Sequence, residues 1–258
     1  MLKEKKILIF ENPFILVNRL VKEFVRIAEL AIREKGAFYV ALTGGKSSIP
    51  FYSRLTAVKD YAFWRQTHIF LTDERFVPLT DSRSNFRMIK ETLLNDLFVP
   101  ENNIHPIGTQ YDNAFFSAKN YEKNLNKILP ISNEYPQFDF ILLSLGEDGH
   151  IASLFPGRKD FKDSHSSVVT TYLEEHKMDR ISLSLAVLNN AKYVIGLAIG
   201  KKKRKALQCI MEKDKNIPVA QLDLYGGQLC FWADQEAAQC LKARDWNFID
   251  KDSFSVNL

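Results

Sequence analysis

Cysteine is scarce in this chain. There are three in 258 residues, Cys209, Cys230 and Cys240, far apart and without a Cys-x-x-Cys pair. So few, in odd number and so dispersed, they build neither a disulfide framework nor a zinc site and fit a reducing compartment, with the cytoplasm the expected location. Long hydrophobic runs are missing as well. No stretch reaches the roughly 18 uninterrupted apolar residues that span a bilayer, so no membrane partner is expected. The basic start, Lys3, Lys5 and Lys6, is followed by an apolar run only from Ile7 to Phe10, too short for a signal peptide. Neither sign of charge dominates. With 35 Lys plus Arg against 31 Asp plus Glu, the net charge of +4 is too weak alone to argue for a nucleic-acid partner, and a small anion fits as well. Without aromatic interleaving or a recognised module beside the basic run at Lys201 to Lys205, no nucleic-acid partner is expected. Also absent are Gly-x-Ser-x-Gly, His-Glu-x-x-His, a Walker A loop and Gly-x-Gly-x-x-Gly, which excludes the obvious serine hydrolases, zinc hydrolases and nucleotide sites. Without repeats, low-complexity tracts or proline-rich linkers, a single domain over residues 1–258 is expected.

What is present is a globular composition, 46% hydrophobic and 26% charged, which excludes disorder. From Phe14 to Lys35 the residues Leu16, Leu20, Phe24, Ile27, Ala31 and Ile32 recur at three-and-four spacing, and Gly36 follows. This is a long amphipathic helix with a left-handed stop. Strands are expected at Phe38–Leu42, His68–Thr72, Phe138–Leu145, Ser166–Tyr172, Arg180–Leu185, Tyr193–Ile199 and Gln228–Trp232. Helices are expected at Ile49–Leu55, Ser84–Leu97, Ser117–Leu129, Lys201–Lys213 and Asp234–Leu241. Glu101 to Asn113 and Ser132 to Pro136 read as surface connections, and the end from Asn247 to Leu258 as ragged. Phe138–Leu145 is the most continuous apolar run, as in a strand buried on both faces of a parallel sheet. The alternation predicts an α/β fold, a mostly parallel sheet with helices on both faces, and a ligand crevice beyond the carboxyl ends of the strands.

Polar clusters fall at those ends. Thr43-Gly44-Gly45-Lys46-Ser47-Ser48 follows a strand; its glycines let backbone N–H groups approach an anion, and its hydroxyls add donors. The plainer reading is a turn. Asp73-Glu74-Arg75 sits at a strand exit, where Arg75 can grip a phosphate or carboxylate while a neighbouring carboxylate holds the guanidinium; the plainer reading is a solvated charge run. Ser84 and Asn85, close behind, line the same mouth or cap the next helix, the cap being preferred. Gly146-Glu147-Asp148-Gly149-His150 is the sharpest signal, an imidazole two residues from a carboxylate, flanked by glycines, after the most buried strand. That arrangement suits a general base. His68 begins a strand and His105 precedes a proline, so both read as structural or exposed. Gly200 is followed by five basic residues, Lys201 to Lys205, which open a helix; helical spacing should leave only one or two of them facing a crevice.

Together these clusters resemble the 6-phosphogluconolactonase family, relatives of the glucosamine-6-phosphate deaminases. Leu42-Thr43-Gly44-Gly45 resembles the family's glycine loop, and Thr72-Asp73-Glu74-Arg75-Phe76-Val77-Pro78 with Ser84-Asn85 its second signature. The run from Leu145 to Gly157 resembles the third and most specific. Gly200-x-x-Lys203, Pro218-Val219-Ala220 and Trp232 to Ala238 complete the pattern. The family's Ser-Thr-Pro after the two glycines is replaced here by Lys46-Ser47-Ser48, with the proline delayed to Pro50.

The resemblance implies a Rossmann-like fold and hydrolysis of 6-phospho-D-glucono-1,5-lactone to 6-phosphogluconate in the oxidative pentose phosphate pathway, without metal or organic cofactor. In that reading His150 deprotonates the attacking water and Asp148 orients the imidazole. Arg75, Lys203 and the Gly44-Gly45 loop with Ser47 hold the phosphate. Two alternatives stand beside it. A deaminase would carry Phe-Asn-Glu-Pro where this chain has Ser153-Leu154-Phe155-Pro156. A non-catalytic sugar-phosphate sensor would need a DNA-binding module, for which the chain is expected to leave no room.

Overall fold

The computed structural model describes residues 6–158, 165–212, 214, 216–241 and 247–248. Lys213, where the fifth expected helix ends, and residues 249–258 of the expected ragged end lie outside the described residues. The strands are β1 (Lys6–Phe10), β2 (Phe38–Leu42), β3 (Thr67–Leu71), β4 (Asp73–Arg75), β5 (Ile104–His105), β6 (Ile131–Ser132), β7 (Tyr135–Pro136), β8 (Phe140–Ser144), β9 (Val168–Leu173), β10 (Met178–Leu183), β11 (Tyr193–Ala198), β12 (Gln228–Asp234) and β13 (Asn247–Phe248). The helices are α1 (Pro13–Lys35), α2 (Ile49–Leu55), α3 (Tyr61–Arg65), α4 (Asn85–Thr92), α5 (Ala114–Ile128), α6 (Leu185–Asn189), α7 (Arg204–Glu212) and α8 (Gln235–Ala238).

Eight strands form one sheet in the order β13-β1-β12-β11-β8-β2-β3-β5, and every neighbouring pair is parallel. Phe140, Ile141, Leu142 and Leu143 of β8 are all fully buried, so both faces of this central strand are covered. α1 opens with the Asn12 carboxamide accepting from Ile15 N and closes at Gly36, whose φ of 75° is left-handed. Its buried stripe includes Leu16, Leu20, Phe24 and Ile27. Phe24 meets Phe38, Phe51 and Phe140 edge-on at 5.3, 5.7 and 5.5 Å, tying α1 to two central strands and to α2.

From β2 the chain steps outward to β3 and β5; from β8 it steps the opposite way, to β11 and β12. The direction reverses between the neighbours β2 and β8, and at such a switch point the connections diverge and leave a crevice beyond the carboxyl ends. A second, antiparallel sheet, β4-β10-β9, flanks that crevice and carries Arg75 on β4.

One expectation needs correction and others become more definite. Ile7 to Phe10, too short for a signal peptide, belongs to β1 and pairs in parallel with β12 inside the core. The supposed surface connection Glu101–Asn113 supplies the sheet's edge strand β5, and Ser132–Pro136 lies in the β6–β7 hairpin. His68 and His105 form a pair across β3 and β5, with Nδ1 and Nε2 3.1 Å apart and His105 stacked on Phe70 at 4.3 Å. Burial, with the His68 charge, pushes His105 down to about 4, so it is neutral near pH 7 and serves packing.

Candidate active site

The turn after β8 is built around an imidazole. Gly146 N donates to His150 O at 2.8 Å and Gly149 N to Gly146 O at 3.2 Å, closing a tight loop. The His150 ring lies so near Gly146 that a Cβ there would come within 2.1 Å of Nδ1, so only glycine fits. Nδ1 is 2.6 Å from Asp148 Oδ1, and the same oxygen accepts from His150 N at 3.1 Å. Phe155 packs against the imidazole, ring centroids 4.6 Å apart. Burial pushes the Asp148 carboxyl up, but its bonds with His150 pull it further down, and the net shift is downward. A carboxylate only accepts, so Nδ1 is the donor, and in the neutral form of the ring Nε2 carries the free lone pair. The imidazole is 33% exposed and Asp148 51%, which leaves the pair open to solvent and ligand.

Across the mouth, the short strand β4 presents Arg75. Its Nη1 donates to Arg83 O at 3.0 Å and to Asn85 Oδ1. The expected carboxylate grip is not what holds it. Glu74, 0% exposed, accepts instead from Ser84 Oγ at 2.9 Å, Asn85 N at 2.7 Å, Phe86 N at 2.8 Å and Arg75 N at 2.7 Å. It ties β4 to the start of α4. Asp73 accepts from Thr72 Oγ1 at 3.0 Å and Ser153 Oγ at 2.8 Å. Ser84 caps α4 as expected, its Oγ accepting from Arg87 N at 3.1 Å. Asn85 does what the cap reading passed over: it lines the mouth, holds Arg75 and donates to Asp73 O at 2.9 Å.

The third wall follows β11. Asp234, at the end of β12, accepts from Gly200 N at 3.0 and 3.1 Å and from Ala237 N at 2.9 Å, fixing the turn that carries the lysines. Four of the five basic residues, Lys201, Lys202, Lys203 and Lys205, line the crevice rather than one or two. The reason is that Lys201–Lys203 form a 3₁₀ turn on its lip before α7 begins. Arg204 turns away to Glu236 O and Gln239. Lys203 is half-buried, while Lys202 reaches Glu147 at 3.1 Å across the mouth.

The glycine loop closes the ring. Ser47 Oγ lies 2.6 Å from Ser144 Oγ, bridging the exits of β2 and β8 at the switch point, and Lys46 is exposed at the rim. One crevice of about 1400 Å³ is thus lined by Gly44, Gly45, Ser47, Arg75, Asp148, His150 and Lys203 together. Sequence reasoning weighed Asn85 as a crevice residue but preferred the cap, and it missed Asp234 and Arg180. The sign of Asp234 was legible as a cap before Gln-Glu-Ala-Ala; Arg180 sits mid-strand with no local signature. Among the described residues no group of three or more His, Cys, Asp or Glu comes together to hold a metal ion, and no helix is long and apolar enough to cross a membrane.

The chain is 33% identical over 231 residues to the human GDH/6PGL endoplasmic bifunctional protein, a match covering 86% of this chain. It spans 29% of that longer protein's length. It is 33% identical over 241 residues to the 6-phosphogluconolactonase of Synechocystis sp., covering 90% of this chain and 96% of that one. The 6-phosphogluconolactonase of Trypanosoma brucei has a solved structure that superposes with a TM-score of 0.82 at 31% identity, covering 94% of this chain and 100% of the other. The profile of the glucosamine-6-phosphate isomerases/6-phosphogluconolactonase matches residues 11–232, and the chain belongs to that family.

Proposed function

We propose that this chain hydrolyses 6-phospho-D-glucono-1,5-lactone to 6-phosphogluconate in the oxidative pentose phosphate pathway, with His150 as general base. The observation that carries the reading is the Asp148–His150 pair opening on the same crevice as Arg75, Lys203 and the Gly44-Gly45 loop. With Nδ1 committed to Asp148, Nε2 takes a proton from water as its oxygen attacks the lactone carbonyl. The imidazolium, stabilised by the Asp148 carboxylate, then returns the proton to the ring oxygen as the tetrahedral intermediate collapses and the C–O bond breaks. Arg75, Lys203, the glycine loop and the Ser47 hydroxyl hold the phosphate, so the carbonyl is presented within reach of the activated water. An activated ester needs little more: base catalysis contributes about 10²- to 10⁴-fold. Cys209, Cys230 and Cys240 form no disulfide among the described residues, which supports a reducing, cytoplasmic setting.

The test is direct. Purified protein should consume freshly generated 6-phospho-D-glucono-1,5-lactone well above the spontaneous rate and release no ammonia from glucosamine 6-phosphate. Lactone loss at the background rate, or ammonia release, would overturn the proposal.

A further inference from the structure

Arg180 of β10 stands directly opposite Arg75 of β4 in the antiparallel register. Residues so paired share one face of the sheet, and both line the crevice. Two like charges facing each other across strands oppose folding unless something between them compensates. Nothing among the described residues does so fully. The Nε of Arg180 is buried without a hydrogen-bond partner. The nearest carboxylates are engaged elsewhere, Asp73 with the hydroxyls of Thr72 and Ser153, and Glu74 with the start of α4. Burial disfavours the Arg180 cation, and the Arg75 charge adds to that, against the attraction of Asp73 and Glu74. The Arg75 guanidinium, by contrast, is held from behind by Asn85 and Arg83 O.

A pair of planar donors, one braced and one unpaired, suits a ligand with two negative charges and several acceptor oxygens. We propose that Arg180 is a second guanidinium of the phosphate subsite, forming with Arg75 a two-arginine fork that selects the phosphorylated lactone over the free sugar lactone. The substrate named here rests on the proposed function; the anion site does not. The fork also places a strain in the unliganded fold that binding relieves.

The experiment compares wild type with Arg180→Met and Arg180→Lys. Arg180→Met should lower kcat/KM on the phospholactone roughly tenfold to a hundredfold, the scale of a lost hydrogen bond to a charged group. The loss should fall in KM with kcat retained, while kcat/KM on unphosphorylated glucono-1,5-lactone stays within about twofold. Calorimetry with inorganic phosphate should show a parallel loss of affinity, and Tm without phosphate should hold or rise. Arg180→Lys, which keeps the charge but not the fork, should fall between. Unchanged phosphate affinity, equal loss on both lactones, or a lowered Tm in both variants would overturn the proposal. If wild type hydrolysed neither lactone, the functional reading would fall, and phosphate calorimetry on the same variants would still decide the role of Arg180.

Discussion

Lys203 brings its ammonium into the crevice from a half-buried position. Burial lowers its pKa, Lys202 reinforces that, and Glu147 and Asp148 act against it; the net shift is downward. Below its pKa the side chain is a cation that attracts phosphate, and above it the attraction is gone. Phosphate affinity should therefore decline with rising pH at values lower than an ordinary lysine, near 10.4, would dictate. Lys203→Arg, protonated throughout, should lose that alkaline decline. Calorimetric titration of phosphate from about pH 7 to 10 checks this, and the same decline in wild type and variant would contradict it. At this scale His150, Asp148 and Lys203 were readable because each sits in a glycine-marked turn after an apolar run. Arg180 was not, since an arginine in a half-buried strand looks like an ordinary solvent-facing residue until its cross-strand partner is known.

Three residues make a strand only when something outside it fixes both ends, and β4 is such a case. β10 pairs with one edge, and Glu74 gathers three backbone N–H groups and the Ser84 hydroxyl at the start of α4. Glu74→Ala would leave those buried donors unpaired, at about 2–4 kcal/mol of stability. Denaturant unfolding should show that loss, together with weaker phosphate binding as Arg75 loses its footing. A variant as stable as wild type would contradict the staple. The sequence invited a different reading, a carboxylate clasping its neighbour's guanidinium, because adjacency in the chain does not reveal that strand alternation sends Glu74 and Arg75 to opposite faces. Short elements were hidden for a related reason. β1 has four buried apolar residues and β5 only two residues in all, too few for periodicity to register.

On the scale of the whole molecule, the strand order turns scattered motifs into one mouth. The exits of β2 and β8 are neighbours, β4 lies beyond β3, and the turn after β11 arrives from the other side, held by Asp234 at the end of β12. Alternating strands and helices made the parallel sheet predictable, and the rule for ligand crevices put the motifs at its carboxyl end. Strand order was not derivable from the residues, and with it stayed hidden the fact that Ser47 and Ser144, 97 residues apart in the chain, touch. The central claim is that this mouth joins a base to an anion grip, two functions that can be separated. The measurement that tests it is turnover of 6-phospho-D-glucono-1,5-lactone by wild type and His150→Ala, with spontaneous hydrolysis subtracted, alongside calorimetric phosphate binding to both. The predicted result is a kcat lower by about 10²- to 10⁴-fold with phosphate affinity within about twofold of wild type. Full turnover without the imidazole would contradict the account.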